Sequence, residues 1–118
     1  MAKTTDSIRV EEINVERKID EVGGQIRNMK QIEDDYSEFF HSFSSYSSEL
    51  LEYYGQSKLS WVIEDQVDTI RVHQRNIFDS LEGDRRILSD QQRGLEDERN
   101  ELEFARKKML LEEEDTHG

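Results

Sequence analysis

Two Glu-x-x-His pairs, Glu38-x-x-His41 and Glu114-x-x-His117, have a spacing that could do chemistry. One helical turn sets such a pair side by side, and two of them with further inward carboxylates make a carboxylate-bridged metal site in a bundle. The rest of that donor set is missing. Glu38 and His41 fall at the outward positions f and b of the heptad derived below, and the second pair lies in the tail. His73 falls at a g position, with no Ser-His-Asp arrangement and no cleft to support a nucleophile. Gly-rich phosphate loops are absent. The clustered Ser42, Ser44, Ser45, Ser47 and Ser48 read either as a smooth surface for close helix packing or as a weak stretch of helix. The expectation is a protein with no catalytic, cofactor-binding or metal-binding residues, and not an enzyme.

The elements that would have to position any site come from composition and period. The chain has 118 residues, room for a single domain spanning 1–118. Its net charge of -12 repels phosphate backbones and anionic lipid, which argues against nucleic acid and membrane surfaces as partners. Without cysteine there is no disulfide framework and no thiolate metal site. Apolar runs stop at triplets such as Trp61-Val62-Ile63, far below the ~18 residues of a membrane span, so no membrane insertion is expected. The polar start Met1-Ala2-Lys3-Thr4-Thr5-Asp6 does not read as a cleavable leader. With 37% charged residues and no proline, long helices are the natural solution.

The apolar spacing agrees. In the first half Ile8, Val15, Val22, Met29, Tyr36, Phe43 and Leu50 recur every heptad as a d series. The companion a series is Glu12, Ile19, Ile26, Glu33, Phe40, Ser47 and Tyr54. A 4-3 alternation of this length is a coiled-coil seam. It fails beyond Tyr54, and a new register begins at Ile63. There the a series is Val67, Gln74, Leu81, Leu88, Leu95, Leu102 and Met109, and the d series is Ile63, Ile70, Ile77, Asp84, Gln91, Glu98 and Ala105. Between the registers Gly55 suits a left-handed cap, and Ser57 or Ser60 can cap the next helix. The fold expected is all-α: an elongated antiparallel two-helix hairpin, coiled-coil-like and open to completion as a bundle by a partner. Its first helix covers about 5–54, the turn 55–60 and the second helix about 60–113, with a flexible acidic tail at 114–118. Each helix would be about 75 Å long at ~1.5 Å per residue.

The seam is uneven. From residue 32 the g positions of the first helix are also apolar: Ile32, Phe39, Tyr46 and Tyr53. Polar Asp84, Gln91 and Glu98 occupy the second helix's d positions toward the open end. This predicts a hairpin zipped tightly at the turn, with faster hydrogen exchange in residues 5–30 and 85–113. Gly23, Gly24, Gly83 and Gly94 inside the helices read as hinges or partner approaches, or as tolerated local flexibility.

Two packed helices cover a and d, so the g row is left for a partner. The candidate partner-binding residues are Ile32, Phe39, Tyr46 and Tyr53, with Trp61 beside the turn and Phe78 at an e position. Around them the charge is concentrated. Residues 31–68 hold nine acids against Lys58 alone, which is -8 of the total -12. That is either a surface for a basic partner or a solvated face that keeps an aromatic-rich hairpin in solution.

A small acidic hairpin with Trp61 next to its turn is distantly similar to the WXG100-like proteins of Gram-positive type VII secretion. It departs from them in having no Trp-x-Gly and no Tyr-x-x-x-Asp/Glu export signal after the second helix; Phe78-Asp79-Ser80-Leu81-Glu82 has a related form but lies mid-helix. The charge-dense stretch Ser80–Glu103, preceded by Phe39-Phe40, resembles more the small LXG-associated α-helical proteins encoded beside LXG toxins, of the type lacking an export motif. That resemblance implies a non-catalytic targeting or chaperone-like factor. Such a factor binds the helical LXG domain of a toxin in the cytoplasm, with or without a second small helical accessory protein, and is retained or co-exported. The alternatives are a homodimeric helical bundle of structural purpose and a secreted WXG100-like protein.

Overall fold

The computed structural model describes residues 4–117, apart from the side chains of 116 and 117. It holds two helices and, among the described residues, no strand: α1 spans Thr5–Tyr54 and α2 spans Leu59–His117. The protein is an all-α antiparallel helical hairpin. Thr4 and Ser7 start α1 with a reciprocal cap. The Ser7 amide donates to Thr4 Oγ1 at 3.1 Å, and the Thr4 amide donates to Ser7 Oγ at 2.9 Å. Two of the amide donors left over at a helix start are thereby satisfied.

At the turn, Ser57 is the cap. Its amide and its hydroxyl both donate to the Tyr54 carbonyl, at 2.9 and 2.8 Å, and its Oγ accepts from the Leu59 amide at 3.2 Å. The left-handed cap expected at Gly55 is not formed, since no described glycine has a positive φ. Glycine is required there by proximity instead: a Cβ would lie 2.5 Å from the Leu51 carbonyl oxygen. α2 also runs past residue 113 into the segment read as a tail. No proline or glycine stands between Leu95 and His117 to stop it, and Leu110 and Leu111 prolong the helical pattern.

The hairpin divides into two compact units. One takes α1 up to Ile26 and α2 from Arg86. Its helices are joined by Arg106 to Glu12 at 2.7 Å, Arg99 to Glu16 at 3.5 Å and Thr5 to Glu113 at 3.4 Å. As residue numbers fall along one helix they rise along the other, which fixes the antiparallel sense. Ile8, Val15 and Leu102 form a buried cluster, with Ile19, Leu95, Ala105 and Met109 packed against it. One turn apart on α2, Lys107 Nζ donates to Glu103 Oε1 at 3.0 Å, and that bond with the ammonium charge lowers the Glu103 carboxyl pKa.

The other unit, Arg27–Arg85, is pinned by Arg85 to Glu33 at 3.1 Å. Phe40 and Ser47 are its buried residues. Phe40 is ringed by Tyr36, Phe39 and Phe78, with centroids 6.2, 5.3 and 5.9 Å away. Ser47, too small for its seam position, turns its hydroxyl back to the Phe43 carbonyl at 2.8 Å. Beside it a partly enclosed cavity of about 90 Å³ is lined by residues that include Phe43, Ser47, Val67, Ile70 and Gln74.

The distribution of burial reverses the expectation of a tight turn half and a loose open end. Asp84, Gln91 and Glu98 are not buried; Asp84 and Glu98 stay on the outside as their charge requires. Yet the aliphatic d residues Ile8 and Val15 are buried with Leu102, and Leu95, Ala105 and Met109 pack against them, so apolar layers survive here. Ile8 is 1% exposed and Leu102 8%. In the turn half, bulky aromatics alternate with serine and Gln74, and the layers do not match in size. Hydrogen exchange is therefore expected to be slower in residues 8–22 and 95–109 than in 43–51 and 63–74. Mass-spectrometric exchange on the whole chain checks this, and the opposite order would show that burial does not set local stability here.

Gly83 and Gly94 face open space, with nothing within 4 Å of where an alanine methyl would stand. Replacing each by alanine is expected to stabilise the protein by ~1 kcal/mol through helix propensity alone. Thermal denaturation reads the gain. A loss of stability at either site would mean that the helix there needs glycine.

Candidate protein-interaction surface

All six candidate residues lie in the Arg27–Arg85 unit. Ile32, Phe39, Tyr46 and Tyr53 stand seven residues apart on α1, so two turns separate each from the next and they form one nearly straight row. Phe39 is 58% exposed, Tyr46 60% and Tyr53 82%. The heptad explains why: the d and a positions of α1 are used against α2, and the g position lies at the shoulder. Tyr53 meets Tyr54 edge to face, centroids 4.9 Å apart. Trp61, in the first turns of α2, is exposed. Phe78 is different, being half-buried with its ring against Phe40.

The structure brings three of these residues into one connected group. Phe39 and Phe78 both touch Phe40, and Ile32 joins Phe39 in lining a shallow open depression on the α1 surface. Tyr36 and Asp35, which heptad reasoning does not place among the candidates, line the same depression. The heptad assigns Tyr36 to the seam, yet it is 38% exposed, with its ring stacked on Phe40. Helical spacing carries the signal that would have found both, since 32, 35, 36 and 39 share one face. Asp35 Oδ1 accepts a hydrogen bond from the Gln31 side-chain amide at 3.0 Å.

Chemically, this surface offers large apolar area with carboxylates interspersed. Among the described residues no group of three His, Cys, Asp or Glu could hold a metal ion. Glu38 and His41 are exposed, and the side chain of His117 lies outside the described residues. No helix among the described residues is long and apolar enough to cross a membrane. An exposed aromatic row on a charged helix pair is suited to helix packing rather than to holding a small molecule.

A family model described as Protein of unknown function (DUF3958) matches residues 3–109, and the chain belongs to that family. No curated protein and no solved structure matches the chain.

Proposed function

We propose that the protein is a non-catalytic accessory factor. Its partner is the helical LXG domain of a type VII-secreted toxin, which it holds in a pre-secretion complex in the cytoplasm. The observation that carries a binding role is the row Ile32, Phe39, Tyr46 and Tyr53, apolar, largely exposed and in line on one helix. A helical hairpin with such a row can be completed to a three- or four-helix arrangement by a partner helix. The identity of the partner comes from the LXG-associated resemblance of the sequence. A second copy of the chain could cover the same row, so a homodimeric bundle is the competing reading.

Co-expression with an LXG protein encoded by an adjacent gene tests the proposal. The two are expected to co-purify as a complex of fixed ratio, while light scattering of the chain alone gives a monomer. A tight homodimer that fails to retain the LXG domain would replace the proposal with the homodimeric reading.

A further inference from the structure

We infer that the helix taken up by this row is basic: an amphipathic helix whose apolar face lies on Ile32, Tyr36, Phe39 and Tyr46 and whose lysines or arginines reach Asp35 and Glu49. The inference rests on reading the row as a partner site and adds the chemistry of the partner.

Asp35 follows Ile32 by three residues and precedes Phe39 by four; Glu49 stands in the same relation to Tyr46 and Tyr53. That spacing puts both carboxylates on the same exposed face as the apolar row. Elsewhere the chain neutralises its interhelical carboxylates itself, with Arg106 on Glu12, Arg99 on Glu16 and Arg85 on Glu33. No ion pair among the described residues holds Asp35 or Glu49, and the Asp35 hydrogen bond comes from a neutral amide. Lys58 is the one base in residues 31–68. A helix laid on the row desolvates these carboxylates. With acidic flanks it would bring like charges together, whereas basic flanks supply the missing counter-ions. A second copy is disfavoured on the same ground, because an isologous dimer through this row sets one acidic face against its twin.

Two synthetic helical peptides of about 21 residues, sharing a leucine seam but flanked by lysine in one and glutamate in the other, are the probes. Each is titrated calorimetrically into the full-length chain. The lysine peptide is expected to bind at least about tenfold more tightly, with an affinity that falls as salt is added. Asp35→Asn with Glu49→Gln should weaken it at least about fivefold, while the same charge change on α2, Glu64→Gln with Asp68→Asn, leaves it within about twofold. Equal binding of the two peptides, or equal losses from the two double variants, overturns the inference. The attraction would then belong to no charge, or to the acidic chain as a whole. Phe39→Ala separates this inference from the reading beneath it. If that variant loses both peptides while the charge variants lose neither, the row is a partner site without a basic preference. If it loses neither, the row itself is not the site. A dimer of the free chain in sedimentation that Phe39→Ala dissolves also overturns the inference, in favour of a second copy.

Discussion

Replacing Phe39 and Tyr46 together by alanine is expected to weaken binding of the proposed partner, an LXG domain, at least tenfold while leaving the circular dichroism spectrum helical. Both rings are exposed in the free chain, so their removal takes little from its own packing. Phe39 does touch the edge of Phe40, an aromatic contact of about 1 kcal/mol. In a complex the same rings would be central, and central aromatic anchors cost ~2 kcal/mol or more on truncation. A tenfold change needs only ~1.4 kcal/mol, so the expectation leaves room for partial compensation. Phe40→Ala is the instructive contrast. That ring is buried, and its loss should cost ~3 kcal/mol of stability before any effect on binding is considered. Were the double variant to lose its helical signal, the row would be part of the hairpin's own core. Survival of both binding and helicity would move the partner to another surface.

Much of this is legible in the sequence because heptad spacing is a geometric constraint. The shift of register after Tyr54 locates the turn, and the extra apolar g positions mark the row that the structure leaves exposed. Packing quality is less legible. Counting the polar d residues of the second helix treats each helix alone, whereas a layer is made by two. Ile8 and Val15 against Leu102 and Met109 make good layers, with Ala105 packed against them, even with Glu98 at the neighbouring d position. Phe43 and Ser47 against Gln74 and Ile70 leave a cavity although they are nominally seam residues. The short contact that demands glycine at residue 55 depends on where the Leu51 carbonyl points, which spacing does not reveal. Asp35 escapes notice for a different reason. Its charge counts within an acidic run, and a run conceals the place of each member on the helix face.

The same two-helix logic explains the charged residues at α1 a positions and leads to a stability effect that two substitutions together reverse. Glu12 occupies a seam position, yet it is only 19% exposed in its side chain, and Arg106, 21% exposed, donates to it from Nε at 2.7 Å. Arg106→Leu should cost about 2 kcal/mol, because the carboxylate would lose its charged partner at a half-buried position. Glu12→Leu alone should be costly for the mirror-image reason, tempered by the longer arginine, which can turn its guanidinium out to solvent. Glu12→Leu combined with Arg106→Leu removes both half-buried charges and adds an aliphatic layer next to Ile8 and Val15. That variant should match or exceed the parent, by ~1–2 kcal/mol. Urea denaturation of the four proteins forms a double-mutant cycle in which the coupling exceeds about 2 kcal/mol. The Glu33–Arg85 pair is the internal control. Arg85 is 50% exposed, so solvent screens the pair and Arg85→Met should cost no more than about 1 kcal/mol. Similar small losses at both sites would show that Glu12 remains solvated, and the polar layer would then be part of the hairpin's surface and not of its seam.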